Sequence, residues 1–106
     1  MLGRVQVPPS VKKGEPFEVR VLVQHPMETG FRRDVNGQTV PMHVVTRLAA
    51  RYAGREVFRA DLGTGISANP YFSFFVMAAE SAELVVEWTD DRGETGRVSA
   101  QVKVGA

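Results

Sequence analysis

The sequence has no cysteine in its 106 residues. That absence removes disulfides, thiolate metal sites and cysteine nucleophiles together. An excess of charge of one sign is missing too, since 13 basic residues stand against 12 acidic ones for a net charge of +1. A nucleic-acid binder gathers a basic excess into a stripe, because each phosphate contact needs a cation. Arg47, Arg51, Arg55 and Arg59 recur every four residues, but Gly54 interrupts a stretch that reads as strands, so no helical stripe follows. Long apolar runs are absent as well: nothing approaches the roughly 18 residues of a membrane helix. Met1 to Pro9 shows neither an apolar run nor a cleavage pattern, so the expectation is a chain without a signal peptide of its own. Neither nucleic acid nor membrane is an expected partner.

What the sequence does contain is alternation. Hydrophobic content of 43% and charged content of 24% suit one globular domain, expected to span residues 1–106. Val5 and Val7 make a short strand before Pro8-Pro9, and Ser10 to Gly14 turns the chain. Phe17, Val19, Val21 and Val23 alternate with more polar residues, which predicts a half-buried strand. Pro26 ends it. Asn36-Gly37 is a hairpin signal, because both residues tolerate positive φ. Further strands are predicted over Val40 to Tyr52, Glu56 to Leu62, Tyr71 to Ala79, Glu83 to Thr89 and Arg97 to Val104. Gly63 to Pro70 reads as a loop. About seven strands with frequent turns and no helix indicate an all-β fold, an immunoglobulin-like antiparallel sandwich.

Catalytic patterns are not found. Asp90-Asp91 before Gly93 reads as a pair of turn formers, and no nucleophile elbow, phosphate loop or zinc-helix motif organises the Ser, His and Asp residues. The expectation is a protein that is not an enzyme and needs no cofactor. His25, Met27, Met42 and His43 are the residue types a periplasmic copper carrier uses, so a copper-binding sandwich is the alternative reading. In a strand, however, Met42 and His43 point to opposite faces. Otherwise the histidines hydrogen-bond the loops and the methionines fill gaps. Tyr71, Phe72, Phe74 and Phe75 place rings on both faces of one strand, with Leu22, Val45 and Val85 adding to the two-sided pattern. Outward rings need cover, which either a partner sheet or deep burial within the fold would supply.

Three stretches together resemble the SoxZ family. His25-Pro26-Met27-Glu28-Thr29-Gly30-Phe31-Arg32-Arg33-Asp34, followed by Gly37 and Val40-Pro41, is similar to that family's H-x-M-x-T-G loop. Ile66 to Phe74 resembles its S-x-N-P-aromatic segment, and Glu87-Trp88-Thr89-Asp90-Asp91-Arg92-Gly93 its W-x-D-x-x-G turn. The resemblance implies the non-carrier subunit of a SoxYZ heterodimer in bacterial thiosulfate oxidation. Its SoxY-like partner bears a flexible arm with a glycine-flanked cysteine that carries the sulfur intermediate to several Sox enzymes. It implies a periplasmic location, reached with the folded partner, and transient docking to those enzymes. A homodimer is expected to be possible when the chain is isolated. Partner docking is assigned on this resemblance to His25, Met27, Thr29, Gly30, Arg32, Asn69, Pro70, Phe72 and Phe74. Gly30 and Gly93 are expected at positive φ, Asn69 in an Asx-type turn, and Trp88 in the core.

Overall fold

A computed structural model describes residues 2–105; residues 1 and 106, the ends of the expected domain, lie outside the described residues. In chain order the strands are β1 (Gly3–Gln6), β2 (Val11–Lys12), β3 (Pro16–Val23), β4 (Val45–Tyr52), β5 (Arg55–Asp61), β6 (Tyr71–Met77), β7 (Ala82–Asp90), β8 (Thr95–Val102) and β9 (Val104–Gly105). They form a three-stranded sheet in the order β1-β3-β6 and a four-stranded sheet in the order β5-β4-β7-β8. Every pairing within these two sheets is antiparallel. The two-residue strands β2 and β9 add a small parallel pair. The result is the expected sandwich, with no helix among the described residues.

The inner faces follow the period-two pattern. Phe17, Val19, Val21 and Val23 of β3 face Leu48, Ala50 and Tyr52 of β4 and Leu84, Val86 and Trp88 of β7, all buried. Each of these valine and leucine side chains contributes roughly 1.5–3 kcal/mol by leaving water. Trp88 is sealed by glycine: a Cβ on Gly96, its cross-strand partner, would lie 2.3 Å from the indole, and one on Gly3 2.4 Å from it. The Tyr52 hydroxyl donates to the Glu80 carbonyl and accepts the Ala79 and Glu80 amides, tying the far end of β4 to the segment after β6.

Two expectations are corrected. The strand predicted over Val40 to Tyr52 begins only at Val45. Pro41 lacks an N–H, and the chain before Val45 instead returns alongside Glu28, through the bridge Glu28↔His43. Val45 is also fully buried rather than outward. A register shift between Val45 and Arg47 adds one residue opposite β7, and such a bulge breaks strict alternation, so Val44 and Val45 both turn inward.

The molecule is elongated, 60 × 20 × 19 Å, with a radius of gyration of 16.2 Å. A compact chain of this length has about 13 Å. The excess matches an arm formed by residues 28–43. Seven residues out and seven back reach about 23 Å, which adds to the roughly 30 Å of a nine-residue strand.

Candidate functional site

β3 ends, β4 begins, β6 begins and β7 turns into β8 at one end of the sandwich, as the antiparallel registers require. All three motif segments therefore meet there, although they are far apart in sequence. His25 leaves β3 and is pinned on both sides by its own backbone. Its N–H donates to Asn69 Oδ1 at 3.0 Å, and its carbonyl accepts the Asn69 N–H at 2.8 Å. Its ring Nδ1 accepts the Met27 N–H at 3.0 Å, which leaves the proton on Nε2. That Nε2 points at Asp90 Oδ2 from 3.5 Å, too far for a full hydrogen bond, and has no other partner among the described residues.

His43 approaches the same oxygen at 2.7 Å, and the two imidazoles meet edge to face with centroids 4.4 Å apart. Asp90 Oδ1 accepts the Arg92 and Glu94 amides, each at 2.9 Å. Asp91 Oδ1 takes the Val44 N–H at 3.1 Å. Burial pushes the Asp90 carboxyl up, but the hydrogen bonds from His43 and the two backbone amides, with a weaker pull from the nearby His25 Nε2, outweigh it and hold the group below its ordinary value. Burial, with His43 adding to it and Asp90 opposing, lowers His25. Both shifts favour a neutral His25 ring beside an ionised Asp90 carboxylate.

The His/Met set of the copper alternative is not assembled. His25 and His43 come together, but around Asp90, the turn former, and the three ligand atoms lie within 4.8 Å of one another. Met42 stays on the surface, and the Met27 sulfur accepts the Val45 N–H at 3.2 Å. A metal-bound imidazole normally donates through its other nitrogen. His25 accepts there instead, so the cluster is built as a hydrogen-bond lock. Its chemistry is to fix the base of the arm.

The arm is braced along its length. Glu28 and His43 exchange backbone bonds of 2.7 and 2.8 Å, and Val40 donates to the Arg32 carbonyl at 2.8 Å. Arg32 holds Glu28 through Nε and Nη2, the shortest contact being 2.7 Å. At the tip, Asp34 Oδ1 accepts the Asn36 and Gln38 amides, so Asn36-Gly37 does form a turn. Gly30 has φ 91° and lies against Met42, where a Cβ would come within 3.3 Å of that side chain's Cβ. Phe31 (85% exposed) and Val35 (101%) are held out into water.

The residues expected to dock a partner divide into two groups. Thr29, Gly30 and Arg32 lie on the arm and are accessible. His25, Met27 and Pro70 are buried beneath it, and Asn69 spends its side chain on His25 rather than on a local Asx turn. Met27 (φ 50°) takes a left-handed conformation unusual for its type, a strain that the surrounding bonds maintain, whereas Asn69 (φ 51°) takes one that asparagine tolerates. Phe72 and Phe74 point inward: Phe74 is buried and stacks on Phe58 across the sandwich at 4.2 Å. The outward residues of β6 are Tyr71 (59% exposed), Phe75 (68%) and Met77 (58%). Of the four rings of this strand, the two expected to dock a partner, Phe72 and Phe74, are thus the inward ones, and Tyr71 and Phe75 are the outward ones.

The described chain is therefore an immunoglobulin-like sandwich with a locked loop end, a projecting arm and one ring-bearing outer face. The chain belongs to the SoxZ family, whose description "Sulphur oxidation protein SoxZ" matches residues 5–101. Among curated proteins none matches the sequence. Solved structures share the fold. The superoxide reductase (neelaredoxin) of Ignicoccus hospitalis superimposes with a TM-score of 0.71 at 20% identity, over 99% of this chain and 81% of that one. The sulfur carrier protein SoxY of Chlorobium limicola f thiosulfatophilum does so at 0.67 and 18% identity, over 98% and 79%.

Proposed function

We propose that this chain is the non-catalytic scaffold subunit of a SoxYZ-type sulfur carrier complex. It binds a SoxY-like carrier and serves as the rigid base for the carrier's cysteine-bearing arm during thiosulfate oxidation. The observation that carries this reading is the family match over residues 5–101. The structure supports it physically, since a swinging arm needs a stable base and the locked loop end is one. The absence of cysteine leaves the reactive sulfur to the partner.

In this reading the complex works in the periplasm, which the chain reaches together with its folded partner. Thr29, Gly30, Arg32 and the projecting Phe31 are offered to enzymes that dock transiently, with affinity low enough to release. His25, Met27, Asn69 and Pro70 act from below by holding the arm. Mixing the chain with a SoxY-like carrier tests the reading: light scattering is expected to give a one-to-one complex, and two separate species would overturn it.

A further inference from the structure

The sandwich has four edge strands, and three of them are guarded. β5 carries Arg55, Glu56, Arg59 and Asp61. β8 carries Arg97 and has β1 lying against it. β1 is four residues long, contains Arg4 and is followed by Pro8-Pro9. Charges, prolines, brevity and cover are the means by which proteins keep sheet edges from pairing with other chains. Within its own length β6 has none of them, and Pro70 before it sits at a position that faces β3 rather than the open edge. Its seven residues, Tyr-Phe-Ser-Phe-Phe-Val-Met, hold no charge and no proline, and among the described residues only β3 pairs with it.

The ladder shows which groups this edge presents. Val23 N–H donates to the Pro70 carbonyl at 3.0 Å just before β6, and Ala78 N–H donates to the Glu15 carbonyl at 2.9 Å just after it. Antiparallel bonding alternates along a strand. Phe72, Phe74 and Val76 therefore bond to β3, at their partners Val21, Val19 and Phe17. The N–H and C=O groups of Tyr71, Ser73, Phe75 and Met77 turn to the open edge. These residues also carry the outward side chains, so backbone pairing and apolar cover are offered together. Beside them Glu18 is already taken by Arg20 (2.7 Å) and Ser73 (2.8 Å), which leaves no free carboxylate to select a basic partner.

We propose that β6 is a strand-addition site and that its occupant is an antiparallel edge strand of the carrier subunit, uncharged and apolar at alternate positions. This rests on the scaffold reading above. A neutral edge selects a neutral strand, because an incoming charge would be desolvated with no counter-charge to meet it. A carrier with the sandwich fold shared by the SoxY structure brings edge strands of its own. Pairing joins the two sandwiches through one continuous sheet and covers Tyr71, Phe75 and Met77 with the carrier's matching face.

Amide exchange followed by NMR, in the chain alone and mixed with the carrier, tests this directly. The amides of Tyr71, Ser73, Phe75 and Met77 are expected to exchange fast in the free chain and at least tenfold more slowly in the complex. Those of Phe72, Phe74 and Val76 are expected to be protected in both. Ser73→Pro removes an edge N–H without touching the β3 ladder, so it is expected to weaken the complex at least a hundredfold and leave the free chain folded. A complex whose four edge amides stay fast, or that forms equally well with Ser73→Pro, overturns strand addition and leaves the scaffold reading standing. No complex at all overturns the scaffold reading itself. Protection that grows with the concentration of this chain alone makes a second copy the occupant and overturns the assignment to the carrier. If Ser73→Pro does not fold, the exchange pattern of the unaltered chain still decides.

Discussion

On the outer face of the four-stranded sheet, charges meet charges. Arg47 lies 3.6 Å from Asp61, Arg59 2.8 Å from Glu56, and Arg51 and Arg97 share Glu87 at 3.9 Å each. On the outer face of the three-stranded sheet the corresponding positions hold Leu22, Tyr71, Phe75 and Met77, with Glu18, Arg20 and Ser73 bonded among themselves. Both faces are built on half-buried strands of the same period. Exposed pairs of the first kind each add little to stability, so that face is finished in water. The second leaves apolar area exposed beside an open edge, and in our proposal another protein finishes that face.

This contrast can be broken in several places. The largest effect is expected from Phe75→Asp, which puts a charge on the apolar face. Calorimetric titration should show carrier affinity falling about a hundredfold, near 2.7 kcal/mol. The stability of the free chain should change by less than about 0.5 kcal/mol, since the side chain is exposed. Next comes Asp90→Asn, which touches neither face. It removes an acceptor from a carboxylate that gathers two backbone amides and His43, and urea unfolding is expected to show a loss of about 2 kcal/mol. Carrier binding should weaken only as far as the loop end loosens.

Acid should act through the same cluster. Burial holds His25 below its ordinary value of 6.5 in the folded chain, so the unfolded chain binds the proton first. Stability is then full above about pH 6.5 and falls as pH drops below it, by at most about 1.4 kcal/mol per pH unit for this one group. Asp90, lowered in the folded chain from 3.8, adds a second loss below that value. Thermal unfolding between pH 8 and pH 3 should show the two windows in that order. His25→Gln, which does not titrate, should remove the first. The smallest effect belongs to the charged face: Glu87→Gln frees Arg51 and Arg97 yet should cost less than about 0.5 kcal/mol and leave carrier affinity unchanged.

The sheets were readable because alternation is a local signal. Phe17 to Val23 and Leu84 to Trp88 announce both their strand and its inner face. β6 announces only its strand: with rings at Tyr71, Phe72, Phe74 and Phe75, the pattern has no phase, and Ser73 alone hints at which parity is outside. The arm was misread as strand from Val40 because its pairing is with Glu28, across a turn whose length no local pattern specifies. The lock was out of reach for a related reason. His25, His43, Asn69 and Asp90 meet only because four strand ends share one end of the sandwich. Asp90 announced itself as a turn former, and it is one, but nothing nearby in the sequence says that its second oxygen serves two histidines.

Trp88, wedged between Gly3 and Gly96, is the only tryptophan in the chain. Its fluorescence therefore has a single origin, in the core where the two sheets meet. Docking on the outer face of the three-stranded sheet, as proposed above, would leave that environment dry, whereas opening the sandwich would flood it. The emission wavelength should stay fixed through a binding titration and move to the red on unfolding. The protein thus carries its own optical gauge, one that separates losing a partner from losing the fold without any added label.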